Sequence, residues 1–295
     1  MKILALDIGG TAIKSGLFCD GQLASFEEFP TEARQGAATM MKRICDYIRD
    51  KAPDAVGIST SGQVDLTDGS IAFATDAMPG YTGFPVKQYI HDHTGLPVSV
   101  ENDVNSAAIG EAHFGAAKGL DHFLCLTIGT GIGGAIFING RLYPGANGIA
   151  GEVGHMTTHL DGVPCNCGNR GCYEAYASTS ALVRRAEKDL GKKVTGRDLF
   201  AARAEASISK LFDRWADEIV AGLTSLTYAF NPQAFILGGG MMSQPEIMTL
   251  IREKYEASLI SSFRGTEILA AELGNLAGVY GAYYSVSELI NKQGD

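Results

Sequence analysis

The sequence predicts an α/β protein of two lobes built around a duplicated unit, and three observations carry that reading. The first is a glycine-tipped hairpin that occurs twice. Ile3–Leu6 is apolar throughout, as a strand buried on both faces is, and Asp7-Ile8-Gly9-Gly10-Thr11 turns it back into Ile13–Phe18. About 120 residues later the pattern returns: Phe123–Leu126 runs through Thr127-Ile128-Gly129-Thr130-Gly131-Ile132-Gly133-Gly134 and out along Ala135–Ile138. The second observation is composition: 45% hydrophobic and 19% charged residues with 37 glycines describe a globular α/β chain rich in tight turns. The third is length. A chain of 295 residues exceeds what one core tends to support, so two lobes with a cleft between them are expected. The boundaries fall at 1–118 for an N-terminal lobe completed by a closing helix over 282–295, and at 119–281 for a C-terminal lobe carrying a cysteine-rich loop at 155–172.

Between the two hairpins the pattern gives a helix at roughly 34–51, the strand Ala55–Ser59, helices near 86–94 and 103–116, and the strand Val98–Val100 between those two. Past the cysteines, helices are expected at about 178–190 and 207–230. The apolar run Ala234–Leu237 then meets Gly238-Gly239-Gly240, a strand ending in a backbone-tight turn. A strand at Glu267–Ala271 and a closing helix from about 277 to 291 complete the chain. The first residues run straight into the strand and the glycine turn, too short for a signal peptide or a membrane span, so a cytoplasmic protein is expected. A formal charge of −9 without clustered Lys and Arg argues against a nucleic-acid surface. An anionic nucleotide would instead rely on backbone N–H groups and a divalent cation.

The densest chemistry lies in Gly151-Glu152-Val153-Gly154-His155 and Cys165-Asn166-Cys167-Gly168-Asn169-Arg170-Gly171-Cys172-Tyr173-Glu174. A C-x-C-x4-C spacing with a preceding histidine suits tetrahedral zinc, because three soft thiolates and one imidazole fill four positions without water. Such a site would hold a loop and fix Glu152 and Glu174 around a polyhydroxylated ligand. The alternative is three unrelated buried thiols. The other three cysteines, Cys19, Cys45 and Cys125, are scattered, which fits a reducing compartment better than a disulfide framework.

The glycine turns offer N–H nests for phosphates, with Thr11, Thr130 and Ser61 beside them and Asp7 placed to hold Mg²⁺ through water. The competing explanation is tight turns that need positive φ. Neither turn reads as a P-loop or a dinucleotide fingerprint. Glu101-Asn102-Asp103 stands where an apolar strand meets a helix. Asp103 is the candidate base for phosphoryl transfer to an alcohol, a reaction that needs one carboxylate to orient and accept the hydroxyl proton. A helix N-cap at Asp103 or Asn102 is the alternative, and the two are not exclusive.

With both hairpins, Glu101-Asn102-Asp103 and the Gly154-His155 plus cysteine set in this order, the whole chain closely resembles the ROK family of bacterial sugar kinases and repressors. The resemblance implies an actin and hexokinase-like ATPase fold of duplicated ribonuclease H-like domains with a zinc-stabilised loop. It implies an ATP-dependent and Mg²⁺-dependent kinase acting on the 6-hydroxyl of a glucose-type sugar, with a homodimer as the expected assembly. Glucose and β-glucosides lead the candidates, ahead of N-acetylmannosamine and N-acetylglucosamine. Carried to matching positions, Asp103 is the base and Gly62, Asn102, Asp103, Glu152, His155 and Glu174 bind sugar. Zinc falls to His155, Cys165, Cys167 and Cys172. Nucleotide and cation fall to Asp7, Gly9, Gly10, Thr11, Thr130, Gly131 and Gly133, with Gly238, Gly239 and Gly240 on the adenosine side.

Two departures from the family pattern matter. Ala12 stands where members commonly carry lysine, with Lys14 two residues on. Ala77 stands where many glucokinases of the family have an asparagine, which removes one hydroxyl contact, gives weight to the similarity to β-glucoside kinases around Leu96–Asp103 and Leu126–Phe137, and leaves Asp76 as a substitute contact. The rival readings are a sugar-responsive regulator of the same family, expected to carry a winged-helix segment before a hairpin that here starts at residue 3, and a catalytically idle sugar-binding ATPase domain.

Overall fold

The computed structural model describes residues 1–294; Asp295, the end of the expected closing helix, lies outside the described residues. In chain order the elements are β1 (Lys2–Ile8), β2 (Ala12–Cys19), β3 (Gln22–Pro30), α1 (Ala37–Lys51), β4 (Ala55–Thr60), β5 (Gln63–Val64), β6 (Ile71–Phe73), α2 (Val86–Thr94), β7 (Val98–Asn102) and α3 (Asp103–Phe114). They continue as β8 (Phe123–Ile128), β9 (Ile132–Ile138), β10 (Arg141–Leu142), α4 (Glu174–Ala177), α5 (Thr179–Leu190), α6 (Gly196–Ala201), α7 (Ala206–Phe230), β11 (Ala234–Gly238), α8 (Pro245–Ser258), β12 (Glu267–Ala270) and α9 (Ala277–Gly294).

The chain divides into two compact units: residues 1–119 with 142–150 and the stretch from Leu273 onward, and residues 120–141 with 151–272. Residues 142–150 and 273–281 thus pack in the first unit, although the sequence boundaries put them in the C-terminal lobe. The return of the closing helix to this lobe was expected, but from residue 282 rather than 273, and nothing in the hairpin repeat signals the 142–150 stretch. Leu66 shows the return: its Cγ lies 3.0 Å from where a Cβ on Gly148 would stand.

In the first unit the sheet order is β3-β2-β1-β4-β7, with β1, β2 and β3 antiparallel and β4 and β7 parallel to β1. β1 is buried on both faces. Leu4, Leu6 and Ile8 pack with Met40, Met41, Ile44 and Ile48 of α1, while Ile3 and Ala5 pack with Val279, Ala282 and Val286 of α9. Burying such side chains stabilises the fold by about 1.5–3 kcal/mol each. Helix α9 sits so close to β4 and α3 that a side chain on Gly57, Gly110 or Gly281 would overlap the carbonyl of Ala282, Ala277 or Ser106 respectively.

The second unit repeats the plan. Its sheet order is β10-β9-β8-β11-β12, with β8 and β9 antiparallel and β11 and β12 parallel to β8. Leu124, Leu126 and Ile128 of β8 share a core with Phe212, Trp215, Ile219 and Leu223 of α7 and with Phe235 and Leu237 of β11. The two glycine turns therefore close equivalent hairpins.

Several elements differ from the sequence expectation. The helix expected from residue 34 is a 3-10 turn at 33–35 followed by Gly36 at φ +90°, and α1 starts at Ala37. The helix expected to reach 116 ends at Phe114. Strand β3 was not anticipated, because it is an edge strand exposed along most of its length and has no alternation to read. Nor was α8, although Pro245 at its start and Glu246 in its first turn are legible start signals. Among the described residues no helix is long and apolar enough to cross a membrane.

Candidate active site

Asp103 is the first residue of α3, directly after the last residue of β7. The capping role belongs to its neighbour: Asn102 Oδ1 accepts from the N–H groups of Val104 at 2.9 Å and Asn105 at 3.1 Å. This leaves the Asp103 carboxylate a different set of partners. Oδ1 accepts from Val104 N–H at 2.9 Å and Asn102 Nδ2 at 3.1 Å, and Oδ2 accepts from the Ser61 hydroxyl at 3.2 Å. Burial, and then the charge of Asp7, push the Asp103 pKa up to about 6, against the opposing pull of the Val104 and Ser61 bonds. A carboxylate poised there is ionised at neutral pH yet close enough to take a proton from a bound alcohol. Glu101 beneath it is structural: its Oε1 accepts from Asn102 N–H at 2.9 Å and Asn105 Nδ2 at 3.0 Å.

Asn102 has no spare valence. Its Nδ2 donates to Gly62 carbonyl oxygen at 2.9 Å as well as to Asp103, so both lone pairs and both hydrogens are engaged within the chain. A sugar hydroxyl reaching Asn102 must replace one of these bonds. Gly62 itself has φ +104°, and a Cβ there would stand 2.8 Å from Phe73 carbonyl oxygen, so glycine is required by the turn. Ala77 and Asp76 lie in an exposed turn held by the buried Met78 and Tyr81.

The first glycine turn closes through Gly9 N–H to Ala12 carbonyl oxygen at 3.0 Å. Gly10 does not have positive φ, and a Cβ there would meet nothing within 4 Å. Neither backbone conformation nor protein packing demands glycine at that position, and the bare backbone of the turn stands open there. Asp7, at the end of β1, accepts from the fully buried Ser59 hydroxyl at 2.7 Å, and Lys14 Nζ stands 3.4 Å from its other oxygen. Lys14 is thus paired with Asp7 across the β1–β2 register. Ser59 is a contact the sequence reading missed, because a serine in a wholly buried strand reads as core.

In the second unit, Thr127–Gly133, Glu174 and Gly239 line a cavity of about 310 Å³. Gly129 again lacks positive φ, and a Cβ on it would meet nothing within 4 Å. Gly129 and Thr130 also line a second cavity of about 1060 Å³, walled by apolar Val183, Phe200 and Met241 and by polar Thr195, Arg197 and Gln244. The small glycine-lined space and the larger mixed one meet at one turn and are large enough, with suitable chemistry, to take a phosphate chain and a nucleoside. Gly240 lines the large cavity and Gly239 the small one. Helix α5 was expected over 178–190 but not its place in a cavity wall, and α6 was not expected, although the Thr195 to Asp198 capping box that starts it is legible.

His155, Cys165, Cys167 and Cys172 bring their ligand atoms within 4.8 Å of one another. Cys167 and Cys172 sulfurs are 3.6 Å apart, and Cys165 Sγ lies 3.8 Å from His155 Nδ1. Ligands around one tetrahedral zinc are separated by about 3.6–3.8 Å, so the donor set suits that ion in number and softness, and these two separations match its spacing. His155 Nε2 points the other way, 3.9 Å from Glu152 Oε2. Glu174 opens α4; its Oε1 accepts from the Cys165 thiol at 3.1 Å and its Oε2 from Ile132 N–H at 3.3 Å. The second hairpin, Glu174 and the thiol cluster are therefore one connected structure.

With this geometry in hand, comparison with known proteins is specific. The chain belongs to the ROK family, whose profile matches residues 3–288. It is 33% identical to the glucokinase of Thermotoga maritima, over 98% of each chain, and 35% identical to the β-glucoside kinase of Listeria innocua, over 96% of this chain and 97% of that one. Among solved structures it is similar to a ROK family glucokinase from Streptomyces griseus in complex with glucose and AMPPNP, with a TM-score of 0.84 and 33% identity, covering 98% of this chain and all of that one.

Proposed function

We propose that this chain transfers the γ-phosphoryl group of ATP to the 6-hydroxyl of a glucose-type sugar, glucose or a β-glucoside before N-acetylmannosamine or N-acetylglucosamine. The class, an ATP-dependent sugar kinase and hence a phosphotransferase, is that of its full-length relatives. The observation that carries the reading is Asp103: a carboxylate raised to about 6 and gripped by Ser61, Val104 and Asn102 at a strand-to-helix junction. Phosphoryl transfer asks a protein for position and charge rather than covalent chemistry, and one fixed carboxylate supplies the orientation and final acceptance of the hydroxyl proton.

In this reading Gly62, Asn102, Glu152, His155 and Glu174 hold the sugar, and the duplicated sheets are an actin and hexokinase-like ATPase scaffold. The glycine turns, with Gly9, Gly10, Thr11, Thr130, Gly131 and Gly133, take the phosphates, and Gly238–Gly240 face the adenosine. Asp7 is an oxygen donor suited to Mg²⁺, which when bound neutralises phosphate charge. Zinc on His155, Cys165, Cys167 and Cys172 stabilises the loop and orients His155, whose Nε2 remains for a hydroxyl. Three thiols kept as ligands suit the reducing cytoplasm. A homodimer is the assembly the family resemblance favours. The test is ADP release, followed by a coupled assay, across glucose, an aryl β-glucoside, N-acetylglucosamine and N-acetylmannosamine. Sugar-dependent release with at least one glucose-type acceptor is expected, and release independent of any sugar would overturn the reading.

A further inference from the structure

We propose that Gly278 is a positioning residue for Asp7, reserving the space in which that carboxylate is held. Gly278 lies in the first turn of α9 with ordinary helical backbone. Its φ does not call for glycine, and glycine there costs helix stability relative to alanine. The reason for glycine is on its outer face: a Cβ at 278 would stand 2.8 Å from Asp7 Cγ and 2.9 and 3.1 Å from the two carboxylate oxygens. The carboxylate lies flat against the bare Cα.

A methyl group at this point must displace either the helix or the carboxylate, and the helix is pinned. Gly57, Gly110 and Gly281 each bring backbone against backbone where β4 and α3 meet α9, so any shift of α9 disturbs close packing at three points along the helix. Interiors packed to this density transmit such a shift rather than absorb it. Asp7 is the part that moves. It has one short side chain, and turning it breaks the 2.7 Å bond from Ser59 and changes the 3.4 Å approach of Lys14. The start of α9 also places the positive end of a long helix beside the anion, a contribution that weakens with distance. Gly278 thus acts on the site through Asp7, more than 270 residues away in sequence.

The consequence for cation binding rests on the reading of Asp7 as the Mg²⁺-facing carboxylate; the packing relation does not. A double-mutant cycle over Gly278→Ala and Asp7→Ala separates the two. Thermal midpoints of the four proteins are measured first. In the wild-type background Gly278→Ala should lower the midpoint by about 2–4 °C. In the Asp7→Ala background, with no carboxylate to displace, the same change should be neutral or raise the midpoint by up to about 4 °C through helix propensity. Equal shifts in both backgrounds would overturn the proposal. Mn²⁺ binding in the presence of ADP, followed by electron paramagnetic resonance, is the second readout. Gly278→Ala should weaken it at least about tenfold, since small misplacements of a site group carry large penalties. Coupled midpoints with unchanged Mn²⁺ affinity would support the placement of Asp7 by Gly278 and count against its role toward the cation.

Discussion

The Ser61 hydroxyl donates to Oδ2 of Asp103 at 3.2 Å, the oxygen that the start of α3 leaves otherwise unbonded. Ser61 follows the last residue of β4, and β4 pairs in parallel with β7, so adjacent strand ends deliver the hydroxyl and the carboxylate to the same place. This bond favours the ionised form, while burial and Asp7 oppose it.

The balance fixes the acid limb of the pH profile. Turnover should require ionised Asp103, so kcat/KM should fall as pH drops through about 6. Ser61→Ala removes a stabilising donor, and the limb should move to higher pH. A limb that stays in place in the variant would mean that another group titrates.

Stability responds with the opposite sign. The folded pKa of about 6 lies above the ordinary aspartate value of 3.8, so the folded state holds the proton more tightly than the unfolded chain. The contribution is fully present below about 4 and lost as pH rises through about 6. Asp103→Asn, neutral throughout, should therefore exceed wild type in unfolding free energy by on the order of 2–3 kcal/mol at pH 8, and the gap should close near pH 4. Denaturant melts at the two pH values check this; a gap independent of pH would contradict it.

Metal content is the next expectation. Purified protein should carry about one zinc per chain, and Cys167→Ser should lose the metal together with sugar binding, because a closed Cys3His site contributes folding energy to the loop bearing His155 and Glu174. Metal-free protein with full activity would show that the cluster does not hold the site.

The proposed part of Ala77 in substrate choice can be tested directly. Replacing an asparagine by alanine removes one hydrogen bond, about 0.5–1.5 kcal/mol net, which supports a preference of about tenfold rather than exclusion. More than one glucose-type sugar should be accepted, and Ala77→Asn should shift the ratio of kcat/KM values toward free glucose. A ratio unchanged by the substitution would remove Ala77 from sugar selection.

The hairpins, the 3.6-residue helical faces and the Cys-x-Cys-x4-Cys spacing were legible in the sequence, because each is a local pattern. Asp103 was legible as a carboxylate at a strand-to-helix junction, but which of Asn102 and Asp103 caps α3 was not, since that depends on two side-chain rotamers. Ser59 and Gly278 were invisible for a different reason. Their partner is Asp7, brought to them by β4 and by the return of α9, and no local period encodes a contact between the first strand and the last helix. The cavity beside Gly129 was likewise hidden, since its walls come from the separate helices α5 and α6 and the 240–244 turn.

The most direct measurement is the turnover of Asp103→Asn with ATP and glucose, set beside its glucose affinity measured by calorimetry. The amide keeps the shape of the side chain and one accepting oxygen, but its NH2 donates, and it does not accept the hydroxyl proton. Turnover should fall at least about a hundredfold with affinity within about an order of magnitude of wild type. Near-normal turnover in that variant would contradict the role of Asp103 as the base.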